Sequence, residues 1–156
     1  KSSPADFYYA GLWLKSFHDQ NRQNNDISRL FGDSNPHHFI INKDEKSISA
    51  IAPGRAFGKI DNIYVDLARF TVDTLKMVRI IRKKHYLTAI HSLFRGYFKN
   101  GEFSINVFMK HVHKRMLFNF KKQRSQRSFI FASISFFIVW YRFYILKRYP
   151  PDAIKK

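Results

Sequence analysis

Residues Arg127 to Arg148 read R-SFIFASISFFIVWY-R-FYIL-KR, an almost unbroken apolar run closed at each end by cations. The 19 residues from Ser128 to Leu146 would extend roughly 28 Å as a helix, against a bilayer hydrocarbon thickness of about 30 Å. No other segment of the chain constrains the fold as strongly, and the run reads as one transmembrane helix over 128–147. Arg142 interrupts it and leaves 13 apolar or small residues from Phe129 to Tyr141. Such a length also suits a buried core helix. Because Arg142 falls about one turn from the end, its guanidinium is expected to snorkel to the headgroups. Trp140, Tyr141 and Tyr144 then form an aromatic belt beside it.

The charge is +17 and is unevenly spread. Residues 1–75 hold nine Lys/Arg and nine Asp/Glu, whereas 76–127 hold fourteen cations against Glu102 alone. A stretch of that density calls for a polyanion, either acidic lipid headgroups or nucleic acid phosphates. Cysteine is absent, which excludes disulfides and thiolate metal sites. The chain begins at Lys1, as expected of a processed form or an excerpt, so a targeting segment is not readable.

The expected fold is mostly α, with an irregular or extended N-terminal half, a helical hairpin, and a long C-terminal helix ending in a single transmembrane span. Ser3, Pro4 and Asp6 mark the start of a first helix running to about Gln20. Its aromatic and apolar residues, among them Phe7, Tyr8, Leu12, Trp13 and Phe17, lie nearly all round and point to burial against a partner protein. Residues 1–60 thus combine this helix with polar loops and a possible small hairpin over 38–52. Asp61 or Asn62 should cap the amphipathic basic helices of 61–99. Ile63, Leu67, Phe70 and Leu75 share one face there, and Asp66, Arg69, Asp73 and Lys76 an opposite ion-pair ladder. After Arg82, Lys83 and Lys84 the apolar face rotates, and Asn100-Gly101 makes a turn. A basic amphipathic stalk over 102–127 follows. Gly and Pro are absent until Pro150, so it is expected to continue unbroken through the span to Arg148, leaving a short tail over 148–156.

Catalytic signatures are lacking. Gly54-Arg55-Ala56-Phe57-Gly58-Lys59 is one residue short of a phosphate loop and has Ile60 where Ser or Thr should bind magnesium. His37-His38 and His111-Val112-His113 have no acidic or thiolate partners at metal-ligand spacing. No catalytic, cofactor or metal residues are expected. Arg82, Lys83, Lys84, Lys110, Lys114, Lys121, Lys122, Arg124 and Arg127 are expected to bind anionic lipid, or RNA phosphate. Trp140, Tyr141, Arg142 and Tyr144 are assigned to the membrane interface.

A composition rich in Phe, Lys, Ile and Asn without Cys resembles that of supernumerary subunits of mitochondrial inner-membrane complexes from organisms with AT-rich coding. The resemblance is one of composition rather than motif. It implies a non-catalytic accessory subunit of ATP synthase or a respiratory-chain complex, with other subunits as partners and cardiolipin as the natural anion. The excess of cations before the span implies an N-terminal bulk in the matrix and a C-terminal tail in the intermembrane space. The alternative expectation is an organellar ribosomal protein, with Tyr86, Phe94, Tyr97, Phe98, Phe118 and Phe120 stacking on rRNA bases.

Overall fold

The computed structural model describes residues 4–42, 47–51, 57–76, 83–98 and 103–148. Five helices carry the fold: α1 (Pro4–Gln20), α2 (Tyr64–Lys76), α3 (Lys83–Tyr97), α4 (Ile105–Gln126) and α5 (Phe129–Arg148). Four short strands lie between α1 and α2: β1 (Ile27–Arg29), β2 (Phe39–Asn42), β3 (Ser47–Ala50) and β4 (Ile60–Asn62). The strands β2 and β3 pair antiparallel with Phe39 opposite Ala50, in the place expected of the small hairpin, and β1 pairs antiparallel with β4. Ser3, Arg82 and the Asn100-Gly101 turn lie outside the described residues, as do residues 54–56 of the Gly54–Lys59 loop.

The first helix has the bounds expected but a different neighbour. Phe7, Ala10, Gly11, Leu14 and His18 recur at helical spacing and are buried against α3 of the same chain, not left for a partner protein. Close approach is set by two glycines. A Cβ on Gly96 would collide with the Tyr8 carbonyl and lie 3.1 Å from Leu12 N, and one on Gly11 would collide with the Leu93 carbonyl. The helices therefore meet backbone to backbone, which only Gly permits here.

Two aromatic clusters fill the remaining space. Phe94 lies 5.1 Å from Phe108 and 5.3 Å from Phe103, and the Tyr64 hydroxyl accepts from Ser104 N at 2.7 Å. Under the β2–β3 hairpin, Trp13 meets Phe31 edge-on at 5.2 Å and Phe39 at 5.6 Å. Edge-to-face pairs of this kind add about 0.5–1.5 kcal/mol each beyond area burial. The N-terminal half, expected to be irregular or extended beyond its first helix, shares one core with α2, α3 and α4.

The continuous helix expected from 102 to 148 is not formed. Arg127 adopts extended backbone (φ −141°, ψ −177°), its N–H closing on Gln123 O at 2.8 Å. Ser128 Oγ then accepts from Phe131 N at 3.2 Å, capping α5. From there α5 folds back along α4, with Phe120 5.5 Å from Phe136 and His113 5.9 Å from Phe143. Packing drives the break, since Ala132, Val139, Phe143 and Leu146 become buried, whereas in a straight extension of α4 they would have no neighbour. The seam between α2, α4 and α5, lined by Val72, Met116, Phe120 and Val139, leaves a cavity of only about 10 Å³, no more than a single water would fill.

Candidate membrane-contact site and buried polar cluster

The C-terminal helix is two-faced in position though not in chemistry. Ala132, Val139, Phe143 and Leu146 look inward, while Ile130, Ile134, Phe137, Tyr141 and Tyr144 recur at spacings of four, three, four and three on the opposite side and are exposed. Phe137 is 64% exposed and Ile130 69%, values far above what a core helix shows. The helix is long and apolar enough to cross a membrane and is a candidate span. Trp140 stacks on Tyr144 at 6.2 Å, and both are exposed beside Tyr141.

Arg142 does not lie in that belt. Its Nη1 donates to the Leu75 carbonyl at 2.8 Å, in the last turn of α2, and its guanidinium lies 5.5 Å from the Tyr86 ring centre. The expected snorkelling is replaced by an intramolecular latch. Inside the fold a cation gains a carbonyl near a helix C-terminus and a ring face, both favourable partners for a guanidinium.

Around the α4–α5 turn, Lys121, Lys122, Arg124 and Arg127 are all exposed. Arg127 lies 4.5 Å from the Phe131 ring centre and Arg124 5.8 Å from that of Phe129. Lys110 and Lys114, also exposed, flank His113, whose contact with Phe143 places them beside the end of α5 that carries Lys147 and Arg148. The cations of the hairpin thus gather toward its two ends. Between Lys114 and Lys121, α4 exposes Leu117 and Phe118. Arg82 and the side chains of Lys83 and Lys84 lie outside the described residues.

The charged groups of α2 differ from the ladder expected. Asp73 does pair with Lys76 at 3.2 Å, but it also reaches Arg115 on α4 at 3.0 Å. Burial pulls the Lys76 ammonium below its ordinary range, against the opposing pull of Asp73. Asp66 leaves the ladder altogether and is fully buried. Its Oδ2 accepts from Phe31 N at 2.7 Å and faces His18 Nε2 at 3.2 Å, and its Oδ1 accepts from Gly32 N at 3.1 Å. The Ser34 hydroxyl donates to the Asp66 carbonyl at 2.7 Å, and His18 Nδ1 lies 2.7 Å from the Tyr97 hydroxyl. Burial, reinforced by Asp19 and Asp66, pushes the Tyr97 phenol well above its ordinary range, so it stays protonated.

The Asp66–His18–Tyr97 relay was not legible in the sequence, where its members lie 48 and 79 residues apart. The one usable signal was Asp66 falling between Ile63 and Leu67, at the edge of the buried stripe. A cleft of about 380 Å³ adjoins Tyr97, lined also by Lys15, Arg22, Asp26 and Tyr64. Lys15 and Arg22 are both engaged with Asp19, at 2.6 and 2.5 Å. The relay ties four segments together, and each of its polar groups already has a partner within the chain.

Among the described residues no group of three or more His, Cys, Asp or Glu is placed to hold a metal ion. His38 instead contacts the Asp33 carbonyl at 3.0 Å. Of the rings considered for base stacking, Tyr86, Phe94, Tyr97 and Phe98 are buried in the core, while Phe118 is exposed. The fold and site define a mostly helical protein bearing one outward-facing apolar helix bracketed by cations. No protein-family model, curated protein sequence or solved structure matches the chain.

Proposed function

We propose that this protein is a non-catalytic accessory subunit of a mitochondrial inner-membrane complex, an ATP synthase or a respiratory-chain complex, holding its place through α5 and contributing to assembly and lipid contact. One observation carries the membrane part of the reading: α5 presents an uninterrupted apolar face outward while its only internal cation is turned inward onto Leu75 O. A cation turned onto a carbonyl inside the fold opposes insertion less than one facing lipid. Oxidative phosphorylation is supported by composition alone. Cardiolipin suits the exposed cations at the α4–α5 turn, since anionic headgroups complement such clusters. Of the seven cations from Lys110 to Arg127, the fold-back keeps Lys121, Lys122, Arg124 and Arg127 at the start of α5 and sets Lys110 and Lys114 toward its end. The first four carry the positive-side bias. That bias favours an N-terminal bulk in the matrix and a tail in the intermembrane space.

The ribosomal alternative is weakened by the burial of four of its six stacking rings. Bases cannot reach them without unfolding the core. Alkaline carbonate extraction of the source membranes tests the proposal, which requires the chain to remain in the pellet. The variant Ile134→Arg with Phe137→Arg should fail to assemble, because two cations at mid-bilayer cost several kcal/mol. Release by carbonate together with co-sedimentation that RNase abolishes would refute the reading. A protease-protection assay finding the N-terminal region on the intermembrane side would reverse the orientation.

A further inference from the structure

We infer that the outer seam of α5 faces the acyl chains of an anionic phospholipid bilayer, not a second helix, which places this subunit at a lipid-exposed rim of its assembly. The inference rests on the reading of α5 as a membrane helix and decides which of its sides meets what.

Arg127, Ile130, Ile134, Phe137, Tyr141, Tyr144 and Arg148 follow one another at alternating spacings of three and four. The 20 residues of α5, Phe129 to Arg148, rise roughly 28 Å, close to the hydrocarbon thickness. Spacing alone suits a partner helix equally well, because a 3.5-residue repeat is also the signature of coiled-coil packing.

Three observations favour lipid. The first is the distribution of small residues. Helices associate in bilayers through Gly, Ala, Ser and Thr, which let backbones approach. Here Ala132 is buried against the protein and Ser135 lines the seam shared with α2 and α4, so two of the three small residues inside α5 look inward, Ser133 being half-buried. The outer positions are Ile, Ile, Phe, Tyr and Tyr, side chains that hold a neighbouring backbone away and that fluid acyl chains accommodate.

The second observation excludes a second copy. Parallel pairing along this seam sets Arg127 against Arg127 and Arg148 against Arg148, and antiparallel pairing sets Arg127 against Arg148. Either arrangement opposes cation to cation at both ends, where like charges are unfavourable. The third observation is charge complementarity. No Asp or Glu occurs from Phe103 to Arg148, while cations stand at both ends of the seam. Two leaflets of anionic headgroups supply the opposite sign at those two levels.

The test uses the full chain reconstituted in vesicles of phosphatidylcholine and cardiolipin, with or without bromine on the acyl chains. Trp13→Phe leaves Trp140, exposed beside the seam, as the sole indole. Its emission should lose roughly half its intensity in brominated vesicles, as expected for an indole at the edge of the hydrocarbon. If Trp13→Phe loosens the core, the parent chain gives the same reading, with Trp13 among Phe17, Phe31 and Phe39 as an unquenched reference. A Phe136→Trp reporter on the side packed against Phe120, in a chain also carrying Trp13→Phe and Trp140→Phe, should be spared. Unquenched Trp140 in vesicles that keep the chain through carbonate overturns the lipid-facing seam and leaves the accessory-subunit reading standing. Equal quenching at both reporters also overturns it. Release by carbonate instead removes the membrane reading beneath it.

Discussion

Arg142 separates two physical accounts of α5 by the sign of a single substitution. In Arg142→Leu the chain loses a hydrogen bond from a charged donor to Leu75 O at 2.8 Å, worth about 1.5–3 kcal/mol. It also loses the guanidinium placed 5.5 Å from the Tyr86 ring centre, worth about 0.5–1 kcal/mol. Leu keeps most of the apolar stem, so packing loss is small. The folded chain in detergent micelles should therefore be destabilised by about 2–4 kcal/mol, read as a lower denaturation midpoint by far-ultraviolet circular dichroism. Lys at this position reaches the carbonyl as a point charge without the planar stacking surface, and Arg142→Lys should lose about half as much. A snorkelling Arg predicts the opposite pattern: unchanged fold stability and tighter membrane retention, since Leu is favoured over Arg by roughly 3 kcal/mol within a span. Equal stability of Arg142→Leu and the parent, within about 0.5 kcal/mol, would refute the latch.

Three further outcomes follow from the core. Gly96→Ala should lower stability by about 1–3 kcal/mol or more, because its Cβ meets Tyr8 O and must push α1 away. Thermal unfolding measures it, and an unshifted midpoint would contradict the backbone-to-backbone crossing. Asp66→Asn should cost about 2–4 kcal/mol, since the amide turns a donor toward one of the groups now facing the carboxylate and leaves a buried N–H unpaired. Chemical denaturation of the folded chain would show it. Tyr97 gives a pH signature. Its folded pKa is raised, so its stabilising contribution is full below the unfolded value of about 10 and is lost as pH rises beyond it. Tyr97→Phe should be weaker at neutral pH by about 1 kcal/mol through its lost bond to His18, yet its stability should fall less steeply above pH 10 than the parent's.

Local signals were legible where one chemical cause acts over a few residues. Pro4 and Asp6 set the start of α1, and the Asn62 side chain accepts from Tyr64 N at 3.0 Å where α2 begins. Phe108, Val112 and Met116 at helical spacing form the buried face of α4, as their period requires. What stayed hidden depends on distant partners. The fold-back at Arg127 uses a Ser cap in a sequence with no Gly or Pro, and its driving force is the packing of α5 on α4 and α2, which no local window contains. Asp66 looked like a ladder carboxylate because Arg69, Asp73 and Lys76 share its spacing, whereas its partners come from residues 31–34 and from His18. Arg142 looked like an interface residue because its acceptor lies 67 residues away.

The Asp66 carboxylate also couples elements that would otherwise melt separately. The amides of Phe31 and Gly32 belong to a loop, and their protons point to a side chain on α2 that also faces His18 of α1. Neither amide is released by fraying of the loop alone. Opening them requires α1, the loop and α2 to part together, so in a hydrogen-exchange experiment they should be protected like helix-core amides and unlike the surface turns around them. On that account α1, the loop of residues 31–34 and α2 behave as one cooperative unit.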